Sequence, residues 1–73
     1  MNESSLREPP SVVPDPELRI LALLAQGLTA DVAADRLGIS TRTLRRRTTS
    51  ARECFGVATT IEAITEAARR GIL

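Results

Sequence analysis

Downstream of a proline-rich start, apolar residues recur at helical spacing. Leu18, Ile20, Leu21, Leu23, Leu24 and Ala25 form a segment that is apolar around much of a helix circumference. Asp15 followed by Pro16 reads as an N-cap with proline in the first helical position, so the pattern predicts a first helix over 16–26. Gln26-Gly27 ends it, because glycine accepts the left-handed conformation of a helix terminus. Thr29 caps a short second helix over 30–37, which Gly38 ends, and Ser40 opens a third over 41–54, ended by Gly56. Thr59 with Glu62 three residues on is a capping box for a fourth helix over 60–70, stopped by Gly71. No segment alternates with the period of a strand and no repeat is evident. The expected fold class is all-α, four helices with short connections.

Residues 1–14 hold three of the four prolines and little periodicity, and read as a flexible arm or the remnant of a linker. A domain over 15–73 follows. The chain of 73 residues is one domain at most, with a small core. Phe55 is its single aromatic residue, so that core has to be assembled from Leu, Ile, Val and Ala. Such a composition favours helices over a sandwich or barrel. One cysteine, Cys54, cannot form an internal disulfide, and a reducing cytoplasm is the expected compartment. No apolar run approaches the length of a membrane span and none follows Met1, so neither a span nor a signal peptide is expected.

Net charge, +1, changes little in this picture, but its distribution does. Arg42, Arg45, Arg46, Arg47 and Arg52 lie within eleven residues that contain no acid, and the chain has no lysine. Guanidinium groups suit bidentate contacts to phosphate or guanine. On the third helix Leu44, Thr48, Ala51 and Phe55 fall on one side, the expected buried side. Arg42, Arg45, Arg46 and Thr49 fall opposite, with Arg52 at the edge. Ahead of this helix, Leu37-Gly38-Ile39-Ser40 has the layout of a helix-turn-helix. Gly38 supplies a positive φ, Ile39 plugs the angle between the helices, and Ser40 meets the free N–H groups of the helix that follows. A run of arginines alone would be read as a solvated face; joined to a glycine turn and a capped helix it points to double-stranded DNA.

From Val13 to Leu73, over four-fifths of the chain, the sequence resembles the LuxR/GerE-type DNA-binding domain. The likeness is carried by Glu17, Ile20-Leu21, Leu24-Ala25-Gln26-Gly27-Leu28-Thr29, Ala34 and Arg36-Leu37-Gly38-Ile39-Ser40. It continues through Arg42-Thr43-Leu44-Arg45, Phe55-Gly56-Val57, Glu62-Ala63 and Arg69-Arg70-Gly71-Ile72-Leu73. The resemblance implies a transcription regulator, or the effector domain of one, with the third helix in the major groove and the fourth forming a two-fold dimer. Base-reading positions fall on Arg45, Arg46 and Thr49. Phosphate contacts fall on Thr29 and Ala30, on Ser40, Thr41, Arg42 and Thr43, and on Arg47 and Arg52. The dimer face falls on Ile61, Thr65, Ala68 and Ile72, a stripe beside the core-facing Ala63, Ile64 and Ala67. A weak homodimer stabilised on DNA is expected.

Departures from the pattern are Ala30-Asp31 in place of a polar pair, Ala33 in place of a large aliphatic residue with Val32 to compensate, and Arg47 where histidine is common. Thr49 replaces a residue that is often basic, and Pro14 replaces a capping threonine. Glu17 is read either as a solvated first-turn acid or, by the resemblance, as half of an ion pair with a core-edge arginine. Cys54 is read as a partly buried spectator. Two other readings stay open: an interaction module that kept the fold and lost DNA binding, suggested by Asp31, Asp35 and the thin dimer stripe, and a domain like the fourth region of a sigma factor. An enzyme is not expected, since the chain lacks histidine, a metal-ligand cluster and a glycine-rich phosphate loop. No cofactor and no small-molecule ligand is expected either.

Overall fold

A computed structural model describes residues 13–73. It contains four helices, α1 (Asp15–Ala25), α2 (Ala30–Leu37), α3 (Thr41–Phe55) and α4 (Thr60–Arg69), and no strand among the described residues. The fold is all-α, as the periodicity predicts. Most of the arm read at 1–14 lies outside the described residues, but Val13 does not: it is buried against Leu21, Phe55 and Ala67.

Helix starts follow side-chain chemistry at three of four positions. Thr29 Oγ1 accepts from the Val32 N–H, Ser40 Oγ from Thr43, and Thr59 Oγ1 from Glu62, whose carboxylate accepts in turn from the Thr59 N–H. Each replaces an acceptor that a first turn lacks. The expectation for α1 is corrected. Its N-cap is Pro14, not Asp15, and no side chain caps it. Pro14 already has extended geometry, and its carbonyl accepts from Glu17 and Leu18. Asp15 is thereby drawn into the first turn, where its charge opposes the helix dipole favourably.

Two apolar clusters meet on α3. Leu44 packs with Ile20, Ala33 and Ala34, while Ala51 and Phe55 pack with Val13, Leu21, Ala63 and Ala67. Ile20, Leu21 and Leu44 are the largest fully buried side chains, each contributing roughly 1.5–3 kcal/mol. Ala33 is fully buried, so α2 sits close to α1 and α3. Val32 does not compensate for its small size: it remains 43% exposed, because one step along a helix turns a side chain by about 100°. Ile39 packs against the Leu44 cluster and fills the angle between α2 and α3.

Glu17 departs from both of its expected roles. It is buried, and its Oε1 has no hydrogen-bond partner. The ion pairs among the described residues are those of Glu66 with Arg69 and Arg70, so no arginine neutralises Glu17. One turn before the buried Leu21, position 17 necessarily points inward. The half-buried thiol of Cys54 feels its charge: burial raises the Cys54 pKa first, and the carboxylates of Glu17 and Glu53 raise it further. A thiol so shifted stays protonated and unreactive near neutrality.

Gly38 closes α2 at φ 70°, in the left-handed region, and a Cβ added there would meet no atom within 4 Å. The cost of a side chain at this turn is therefore backbone strain alone. Gly38→Ala is expected to lower stability by about 1 kcal/mol, and Gly38→Asn by less, in urea unfolding followed by circular dichroism. Equal stability of Gly38→Ala and the parent would mean that the turn does not need the left-handed residue.

Candidate nucleic-acid interface

Why α3 faces outward with its arginines follows from its packed side. Leu44, Thr48, Ala51 and Phe55 are the buried residues of this helix, the four that spacing assigns. Thr48 is the polar member, and its hydroxyl donates to the Leu44 carbonyl at 2.8 Å, so nothing is left unpaired. With that side fixed, Arg42, Arg45, Arg46 and Thr49 are exposed, while Arg47 and Arg52 are half-buried on the flanks. None of these arginines has a carboxylate partner among the described ion pairs; Arg69 and Arg70, by contrast, are held by Glu66 at 2.8 and 2.7 Å. The cations of α3 are thus available to a ligand, and those of α4 are spent internally.

Three local features hold the α2–turn–α3 unit together. Gly38 turns the chain, Ile39 fills the corner, and Thr41 Oγ1 donates to Asp31 Oδ1 at 2.8 Å, joining the first turns of the two helices. Residues 17–58 match a family model described as a homeodomain-like domain, more than half of the chain. The chain belongs to this homeodomain-like helix-turn-helix family. No curated protein and no solved structure matches the chain. The homeodomain-like part takes in α1, α2 and α3 and stops before α4. In such units the last of the three helices enters the major groove.

Within the homeodomain-like part, the expected phosphate positions sort into two kinds. The hydroxyls of Ser40 and Thr41 are spent inside the protein, donating to Thr43 Oγ1 and to Asp31, and Thr29 Oγ1 is taken by the Val32 N–H. What Ala30, Thr41 and Arg42 offer instead is first-turn backbone N–H groups, which helix geometry leaves without an intrahelical acceptor. Thr49, expected to read bases, donates to the Arg45 carbonyl at 3.2 Å and accepts from Arg52 Nη2 at 3.2 Å. Its methyl group is the part left for a base.

Two grooves flank α3. One, about 300 Å3, brings Arg47 together with Arg19 of α1 over a floor of Ile20, Leu37 and Ile39. The other, about 370 Å3, holds Arg45 and Arg52 with Thr49 and, from α4, Thr60. Arg19 and Thr60 escaped the reading of the sequence, because each joins the arginines of α3 across a helix boundary, where periodicity says nothing.

On α4, Ile61 is 70% exposed and Ile72 36% exposed, and Thr65 and Ala68 are exposed as well. Ile72 lies beyond the end of the helix at Arg69, a correction to the helical stripe; its N–H donates to Ala67 O and folds it back over the terminus. No helix among the described residues is long and apolar enough to cross a membrane, and no group of His, Cys, Asp or Glu among them could hold a metal ion.

The start of α4 carries a pH-dependent contact. The Glu62 carboxylate takes the Thr59 N–H, the Thr59 hydroxyl and the Ala58 N–H, and in that order they hold its pKa below the usual carboxylate value. A carboxylate whose folded pKa is depressed stabilises above its unfolded pKa and loses that contribution as pH falls through the folded value. Protection of the amides in the first turn of α4, relative to their intrinsic exchange rates, is therefore expected to hold through neutral and mildly acidic pH and to fall as Glu62 is protonated, below the usual carboxylate range. Glu62→Gln, which keeps the box, should lose that dependence; the same acid sensitivity in both proteins would place its origin elsewhere.

Proposed function

We propose that the domain is a sequence-specific DNA-binding module of a transcription regulator of the LuxR/GerE type, with α3 lying in the major groove. The observation that carries this reading is the division of α3: one face closes the core, and the opposite face bears exposed arginines free of ion pairs, on a unit of the homeodomain-like family. Arg45, Arg46 and the Thr49 methyl are the base-reading groups. A guanidinium in the first turns of α3 can take the O6 and N7 acceptors of guanine together, and a methyl suits thymine. The N-terminal turns at Thr29 and Ala30 and at Ser40 to Thr43 meet phosphates, with Arg42, Arg47 and Arg52 beside them.

The LuxR/GerE assignment, rather than a homeodomain-like domain in general, is supported by α4 and by Arg69-Arg70-Gly71 at its end. It also implies assembly. Ile61, Thr65, Ala68 and Ile72 form an apolar but small face, too small for a tight dimer in isolation. The domain is expected to be a monomer or weak dimer alone and a dimer on DNA, with half-sites about 10 base pairs apart. Sedimentation with a two-half-site duplex should find two protomers per duplex; one protomer at saturation contradicts the dimer. The cytoplasm is the compartment that such a regulator requires.

Reading and holding separate by mutation. Arg45→Ala and Arg46→Ala are each expected to cost about 1–3 kcal/mol on the best site and to relax base preference. Arg52→Ala is expected to weaken specific and random duplexes alike and to lower the salt slope by about one phosphate contact. Affinities for a duplex selected from a random pool, and for random duplex, measured over a salt series, test both. An unchanged ratio of specific to random affinity in Arg45→Ala and Arg46→Ala removes the base-reading role. No DNA binding by the parent favours the interaction module, to which the exposed Asp31, Val32 and Asp35 of α2 would then belong.

A further inference from the structure

Two side-chain hydrogen bonds among the described residues join different helices, and both end on α3. Thr41 donates to Asp31 at its first residue, and near its end Arg52 Nη1 donates to Thr60 Oγ1 of α4 at 3.4 Å. Arg52 is also bound through Nη2 to Thr49 Oγ1 at 3.2 Å. The Thr49 hydroxyl has its hydrogen on the Arg45 carbonyl, so a lone pair is turned toward the guanidinium.

From this geometry we infer that Thr60 is a positioning residue for Arg52, setting from α4 the direction in which this guanidinium meets a DNA phosphate. The inference rests on the DNA-binding reading and deepens it. A guanidinium has five N–H donors in a rigid fork. Two of them are taken by Thr49 and Thr60, and three remain for an anion. An arginine on a free stem loses considerable side-chain entropy when it grips a phosphate. Held at both terminal nitrogens, Arg52 has already lost much of it. Its place supports the same role: Arg52, Arg45, Thr49 and Thr60 border one groove of about 370 Å3, open to solvent beside the helix proposed to enter DNA. Thr60 immediately precedes the exposed Ile61, so the pin ties the orientation of a phosphate-binding group to the helix that bears the proposed dimer face. Neither contact is needed to bury apolar surface, because the core of α4 is Ala63 and Ala67.

A double-mutant cycle on the full chain tests this, with the duplex selected from a random pool as probe. Parent, Thr60→Val, Thr60→Ser, Arg52→Ala and Arg52→Ala/Thr60→Val are titrated over a salt series, with helicity and thermal midpoint recorded for each. Thr60→Val should weaken binding by roughly three- to ten-fold, the range of one hydrogen bond, and shift the salt slope toward that of Arg52→Ala. Thr60→Ser, which keeps the acceptor, should bind like the parent, and Thr60→Val should add nothing once Arg52 is absent. Thr60→Ala gives the same reading if valine lowers the thermal midpoint. Binding by Thr60→Val equal to the parent overturns the inference, as does an equal loss with and without Arg52, which is the signature of a purely structural residue. An Arg52→Ala protein that binds like the parent also overturns it, since nothing is then positioned. A parent that binds no duplex at all overturns the DNA reading itself, and is distinguished from these by the parent curve alone.

Discussion

The burial of one side of α3 is the constraint from which the rest of the domain follows. Leu44 closes the cluster with α1 and α2, and Ala51 and Phe55 close the one with α1 and α4. The helix cannot rotate without withdrawing from both, and a helix buried on one side presents a fixed opposite side. That side bears Arg42, Arg45 and Arg46. Folding and function are therefore coupled through a single rotation angle. The same residues that stabilise the domain decide which arginines face outward.

A domain of this size has little margin, and the structure uses small residues to gain it. Ala33, Ala34, Ala51, Ala63 and Ala67 are buried, which brings helix backbones close and limits the need for bulky side chains. One buried polar atom, Glu17 Oε1, has no hydrogen-bond partner, at a cost of roughly 1–3 kcal/mol. Opposite charges elsewhere are placed more favourably. Arg70 lies over the Phe55 ring at 5.5 Å while its Nε bonds to Glu66. The end of α4 is thereby tied to the end of α3.

Much of this was legible in the sequence, for reasons specific to each element. Thr29, Ser40 and the Thr59–Glu62 box mark helix starts because their side chains do the work locally, within three residues. The buried and exposed faces of α3 follow from a period that the residues obey without exception. Interactions between elements were less legible. Proline at 14 displaced the cap assigned to Asp15, since its backbone was already suited to the position. Val13 looks like part of the arm in the sequence, yet it packs in one cluster with residues of α3 and α4, and Glu17 is buried without the arginine partner expected of it; no local pattern encodes either. Asp31 stands out in the sequence only as a departure from a polar pair; in the structure its carboxylate is engaged by Thr41, a bond spanning ten positions.

The central claim is that the exposed side of α3 is the surface that meets DNA. Backbone amide chemical shifts of the labelled domain, followed by NMR as duplex DNA is added, test it directly. The account predicts the largest changes at Arg42, Arg45, Arg46 and Thr49 and in the first turn of α2, with the buried side of α1 unchanged. Changes concentrated on the exposed residues of α2 beyond its first turn, at Asp35 and Arg36, with α3 unmoved, would contradict it.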